Sequence, residues 1–180
     1  YNILRKVTFI LNFLYMKQKN DFTLLQKFVL LTLRLLIGWH LLYEGISKLL
    51  TPNWSSAGFL NESKWILSGF SDWIVSNAGI LSVVDFLNTW GLIAIGLGLI
   101  LGLFTRAAAI CGTILLLLYY LNNPPLIGLE YTLPSEGAYL IVSKTLIEAV
   151  ALFLLAVFPA GYFAGLDRIV FNTHYSSHHK

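Results

Sequence analysis

R-L-L-I-G-W-H-L-L-Y-E-G-I-S-K-L-L, from Arg34 to Leu50, decides how the chain is read. It lies in an apolar run that begins near Phe28 and is long enough to cross a bilayer, yet it carries Arg34, His40, Glu44 and Lys48. Ionisable groups at membrane depth cost about 2.5 to 3.5 kcal/mol each on insertion scales, so they persist where they face protein, water or a ligand. His40, Glu44 and Lys48 recur every fourth residue, which stacks them on one helical face. That face is the candidate working surface.

Composition fixes the solvent. Hydrophobic residues make up 57% of the chain and charged residues 12%, about half the charged share of an ordinary soluble domain. The 180 residues leave room for one integral membrane domain, residues 1–180, of four spans needing about 20 apolar residues each. The net charge of +3 is modest, and nucleic acid is not an expected partner. The single cysteine, Cys111, excludes an intrachain disulfide, a CxxC pair or a thiolate metal site within one chain. In its alanine-rich apolar segment it is expected to be a small buried hydrophobe.

The sequence predicts an all-α, four-helix transmembrane bundle with spans at about 28–48, 83–104, 107–121 and 139–158. Before the first span, Tyr1 to Asp21 mixes a basic start with apolar residues and no small-residue cleavage site, which reads as an amphipathic segment on the membrane surface rather than a removed leader. Thr51-Pro52-Asn53 stops span one. The connection that follows, to about Ser82, carries Trp54, Phe59, Trp65, Phe70 and Trp73; helical spacing and tryptophan's preference for the headgroup level make it an interfacial helical loop. Span two is interrupted by Gly91, Gly96, Gly98 and Gly102, read as helix-packing surface with a small-xxx-small pair at Gly98 and Gly102. Thr105-Arg106 is too short to let span three do anything but run antiparallel beside span two. Asn122-Asn123-Pro124-Pro125 ends span three, and Pro159-Ala160-Gly161 ends span four. Gly-Leu-Phe-Thr-Arg after span two and Gly-Leu-Asp-Arg after span four weakly echo one another. The histidines of the tail, His174, His178 and His179, read as a solvated terminus rather than a metal site.

Charge sets the expected orientation. Arg5, Lys6, Lys17, Lys19, Lys27, Arg106, Arg168 and Lys180 share one side of a four-span bundle, opposite Lys64, so both termini are expected in the cytoplasm. At a rise of about 1.5 Å per residue, Glu44 lies about 6 Å and His40 about 12 Å below Lys48; in span four, Lys144 and Glu148 fall at about the same two depths. Glu44 with Lys144, and His40 with Glu148, are thus expected to meet across helices, with Asp85 and Asn88 closing a polar pocket that opens outward. The same charges are also compatible with mutual neutralisation that only fixes helix register. Arg34, near the inner boundary, is expected to snorkel.

The G-W-H-L-L-Y-E-G-I-S-K-L-L stretch resembles the first span of the DoxX/DoxD family, which includes bacterial members akin to the small membrane subunit of thiosulfate:quinone oxidoreductase. P-N-W-S-S-A-G-F-L, W-G-L-I-A-I-G-L-G-L-I-L-G-L-F-T-R and P-P-L-I-G-L-E-Y-T-L-P-S-E-G support it, over Leu33 to about Arg168. The resemblance implies a four-helix bundle in the bacterial cytoplasmic (inner) membrane and, in the best-known branch, electron transfer from thiosulfate to a quinone. Gly38, Gly45 and Lys48 match the family pattern. One intramembrane histidine does not provide bis-histidine haem ligation, and no flavin or dinucleotide fingerprint is present, so quinone is the expected carrier, with no haem, flavin or metal. His40, Glu44 and Glu148 are then the candidate catalytic residues, handling quinone protons. Lys48, Lys144, Asp85 and Asn88 are the candidate substrate-binding residues, with a small anionic donor drawn to the lysines. The alternative is a non-catalytic anchor or assembly subunit held by a protein partner or in a homo-oligomer; a solute or proton pathway is a third reading.

Overall fold

The computed structural model describes residues 22–129, 131–132, 140–158 and 165–167. The N-terminal amphipathic segment, the middle of the second long connection, the start of span four at Tyr139 and the histidine-bearing tail lie outside the described residues. The described chain is helical: α1 (Leu24–Leu50), α2 (Ala57–Asn61), α3 (Ser68–Val75), α4 (Ala78–Leu101), α5 (Thr105–Asn122) and α6 (Lys144–Val157). Helices α1, α4 and α5 are long and apolar enough to cross a membrane.

Local chemistry sets the boundaries. Helix α1 starts four residues before the expected span because Thr23 and Gln26 form a capping box: Thr23 Oγ1 accepts the Gln26 N–H at 3.3 Å, and Gln26 Oε1 accepts the Thr23 N–H at 2.9 Å. Helix α4 runs from Ala78 rather than 83 and stops at Leu101, where Gly102 turns left-handed at φ 65°. Gly102 is thus a C-cap, and the expected Gly98–Gly102 packing pair does not exist as one helical surface. Helix α6 begins five residues later than the expected span. Leu140 sits at φ 57°, and Ser143 caps the helix by accepting the Leu146 N–H at 3.3 Å. Its 14 residues reach about 21 Å, less than a hydrocarbon core of about 30 Å.

The broadest contacts pair α1 with α4 and α5 with α6, and α4 against α5 joins the two halves. Glycines allow the first pairing. A Cβ on Gly96 would lie 2.6 Å from the Leu42 amide nitrogen and 2.7 Å from the Gly38 carbonyl oxygen, both backbone atoms that cannot move aside. The shared core consists of Ile37 and Leu41 from α1, Leu92, Ile95 and Leu99 from α4, Ala109 and Leu116 from α5, and Ala149, Leu152 and Leu155 from α6. The outer faces are apolar and exposed, as in Leu36, Phe86, Ile114 and Phe153, which is what a helix presents to lipid. Cys111 belongs to that exposed surface, not to the core as its sequence context suggested.

The first long connection is helical, as α2 and α3, and is pinned over one end of the bundle by Asn122, the last residue of α5. Asn122 Oδ1 accepts from the Ser71 hydroxyl at 2.6 Å, its Nδ2 donates to the Phe59 carbonyl at 3.1 Å, and its own carbonyl accepts from the Ser63 hydroxyl at 3.2 Å. Ser63, Ser71 and Asn122 are all buried, so each of these polar groups needs the partner it has.

Candidate functional site

Helical spacing places His40, Glu44 and Lys48 along one side of α1, and two different neighbours meet them. His40 Nδ1 lies 2.7 Å from Glu148 Oε1 of α6, with the histidine side chain 50% exposed and the glutamate 17% exposed. Trp39 and Tyr43 flank His40 in sequence and are both exposed. A hydrogen bond at Nδ1 leaves Nε2 as the ring nitrogen available to a ligand.

The expected Glu44–Lys144 pair is not what forms. Glu44 Oε2 lies 3.8 Å from Lys48 Nζ, one turn along its own helix, while Lys144 occupies the first residue of α6 and is exposed. The late start of α6 explains the change, since Lys144 stands at the helix mouth rather than a turn inside it. Glu44 and Lys144 both remain within Coulombic range of the His40 ring.

Lys48 joins a second cluster. Its Nζ lies 3.5 Å from Asn88 Oδ1 of α4, and over the rings of Trp54 at 5.4 Å and Tyr119 at 5.5 Å. The Tyr119 hydroxyl donates to the same Asn88 oxygen at 2.7 Å. Asp85, one turn before Asn88, accepts the Ser56 backbone N–H at 2.8 Å and the Ser56 hydroxyl through Oδ1, anchoring the entry to α2. Lys48, Thr51, Asn53, Trp54, Asp85 and Trp90 are among the residues lining a cleft of about 270 Å³ at this end of the bundle. Lys48, Asp85 and Asn88 are thus brought together, apart from the deeper His40–Glu148 pair.

At the opposite end lies a cluster that the sequence reading missed. Arg34 does not snorkel: it is 2% exposed, its guanidinium nitrogens 3.0 and 3.2 Å from where a Cβ on Gly102 would stand. Within its Coulombic range, buried Asp167 accepts the backbone N–H of Phe104 at 2.7 Å and of Thr105 at 3.1 Å, capping α5 from outside the helix. The Leu166 N–H donates to Leu101 O at 3.2 Å, and the Asp167 N–H to Gly102 O at 2.8 Å. Residues 101–105 at the turn between α4 and α5 and residues 166–167 therefore dock on each other, a contact between segments far apart in sequence.

Among the described residues no three His, Cys, Asp or Glu side chains gather to hold a metal ion. No match was found among curated proteins or among solved structures. The model of the DoxX family matches residues 29–121, a little over half of the chain, which include most of α1, the α2–α3 cap, α4 and nearly all of α5. A multi-pass membrane protein built on the glycine-sealed α1–α4 pair, this chain belongs to the DoxX family.

Proposed function

We propose that the protein is a quinone-linked redox subunit of a membrane, with a ligand site on α1 centred on His40 and Glu148. The observation that carries this reading is the 2.7 Å contact between His40 Nδ1 and Glu148 Oε1, made by an imidazole that is half open on the side of the bundle. A quinone, when bound, supplies two-electron chemistry that takes up or releases two protons. Glu148 holds the imidazole by Nδ1, turns Nε2 toward the opening, and stabilises the ring when it carries a second proton. Exposed Trp39 and Tyr43 offer flat apolar surface beside it. Lys144, exposed at the first turn of α6, is the cation that draws an anionic electron donor. In this reading α6 and the residues before it complete a fourth crossing, and the bundle sits in a bacterial inner membrane with Arg106 on the cytoplasmic side.

The test is photolabelling of the purified chain in nanodiscs with a photoreactive quinone analogue. Labelling near α1 that is lost in His40→Leu and reduced in Glu148→Gln supports the proposal; labelling unaffected by both ends it.

A second reading, the non-catalytic anchor or assembly subunit, is favoured by one observation. Glu44 is 48% exposed on the outside of α1, where a partner's helix would spare a carboxylate from facing lipid. Copurification of a larger protein that is lost in Glu44→Lys, with no quinone labelling, selects that reading.

A further inference from the structure

The cleft where α1 ends and α4 begins carries one charge of each sign, both with unused bonding capacity. Lys48 lines it, and its Nζ stands 3.5 Å from Asn88 Oδ1 and 3.8 Å from Glu44 Oε2, long for hydrogen bonds of an ammonium that has three donors. Asp85 lines it too. Ser56 uses Asp85 Oδ1 twice, and Oδ2 has no hydrogen bond among the described residues. Trp54 and Trp90 complete the walls.

We infer that this cleft binds the headgroup of a zwitterionic phospholipid, with the headgroup ammonium at Asp85 and the indoles and the phosphate at Lys48. An anion alone would meet Asp85, and a cation alone would meet Lys48. A zwitterion satisfies both. An ammonium also gains from indole faces, which attract cations through the ring quadrupole. The volume of about 270 Å³ equals about nine waters, a space on the scale of a headgroup and below that of most drug-sized ligands. Position selects a lipid over a free headgroup. The cleft stands at the last turn of α1, where tryptophans belong at the headgroup level, and the exposed side chains of Phe86 and Leu49 at its rim are apolar surface for the acyl chains. This inference goes beyond the quinone reading and does not depend on it, because the cleft is separate from His40 and Glu148.

The full chain is reconstituted in nanodiscs of equal phosphatidylethanolamine and phosphatidylglycerol, and lipids retained on extraction are counted by native mass spectrometry. The expected result is about tenfold enrichment of phosphatidylethanolamine on the protein, equivalent to about 1.4 kcal/mol. Asp85→Asn keeps an oxygen for Ser56 but loses the charge, and Trp90→Leu removes a wall with no hydrogen bond. Each is expected to abolish the enrichment while the protein stays folded. Equal retention of the two lipids, or enrichment that survives both substitutions, overturns the inference. So does binding of soluble glycerophosphoethanolamine by protein that shows no preference for the intact lipid. None of these outcomes bears on quinone labelling, so the two proposals fail separately.

Discussion

His40 Nδ1 and Glu148 Oε1, 108 positions apart in sequence, stand 2.7 Å apart and join α1 to α6. The pair is a polar tie between helices that otherwise meet through apolar side chains. Removing one member leaves the other without its partner, and breaking a buried pair costs about 3 to 5 kcal/mol. Because His40 is half exposed, the lower end of that range is expected for His40→Leu or Glu148→Gln. His40→Leu with Glu148→Leu is expected to restore most of the loss in thermal unfolding in detergent, while quinone photolabelling stays absent. A double variant no more stable than the single ones would show that the pair does not tie the helices.

Asp167 is expected to matter more for folding than any residue at the opposite end of the bundle. Asp167→Ala removes two acceptors for the start of α5 and the carboxylate near buried Arg34. The expected loss is about 3 to 5 kcal/mol by the same arithmetic. Adding Arg34→Met to Asp167→Ala is expected to recover part of it, measured as the unfolding midpoint. Recovery of none would mean that Arg34 and Asp167 act independently.

Close packing of α1 on α4 gives a paired prediction. Gly96→Ala drives a methyl group into the backbone of α1 and is expected to cost about 1 to 3 kcal/mol or more. Gly91→Ala, on the same helix with nothing within 4 Å of the added Cβ, is expected to be close to neutral. Equal effects in a detergent unfolding assay would contradict the interface.

The two long connections are joined by Glu62, whose carboxylate accepts the Thr132 backbone N–H at 3.0 Å and the Thr132 hydroxyl. Those hydrogen bonds, the one from the hydroxyl first, hold the Glu62 carboxyl below the usual carboxylate range. A carboxyl lowered on folding stabilises the contact above its ordinary pKa, and that contribution is lost as pH falls through the lowered value. Hydrogen exchange at the Thr132 amide is therefore expected to accelerate below about pH 4 beyond its intrinsic pH trend. Glu62→Gln is expected to remove this pH dependence. Persistence of the acceleration in Glu62→Gln would place its origin elsewhere.

Orientation is checked by labelling. In a Cys111→Ala background, Asn61→Cys is expected to react with an impermeant thiol reagent from outside the cell and Arg106→Cys only after permeabilisation. The reverse pattern would invert the bundle. Ser56, an obvious loop position from the sequence, is unsuitable because it is buried against Asp85.

What the sequence made legible was whatever is written locally. The three long helices follow from apolar length and from the punctuation at Thr51-Pro52-Asn53 and Asn122-Asn123-Pro124-Pro125, whereas the turn expected at Thr105-Arg106 falls at Gly102–Phe104 and those two residues open α5. Comparing depths along the helices set His40 and Glu148 at one level, and they are in contact. The same comparison failed for Lys144, because it assumed that α6 starts near Tyr139, whereas the left-handed Leu140 and the Ser143 cap delay it. Glu44 and Lys48 are four residues apart, and that spacing alone would have paired them. Arg34 and Asp85 could not be read from their neighbourhoods. Snorkelling and burial differ only in whether Asp167 and the Gly102 turn arrive beside the guanidinium, and Asp85 bonds a serine 29 positions earlier. Capping across such separations leaves no periodicity to detect.

The bonds to Asn122 have a consequence for the order in which the chain is made. Ser71 precedes Asn122 by 51 positions and Phe59 precedes it by 63. At about 5 to 20 residues per second, the ribosome delivers Asn122 about 3 to 10 seconds after Ser71. Within that interval α4 is itself completed at Leu101 and can seal its glycine seam with α1, while the α2–α3 segment still lacks the Asn122 acceptor for the Ser71 hydroxyl. The cap over the bundle is therefore a late event of biogenesis, closed only once the last residue of α5 has been translated.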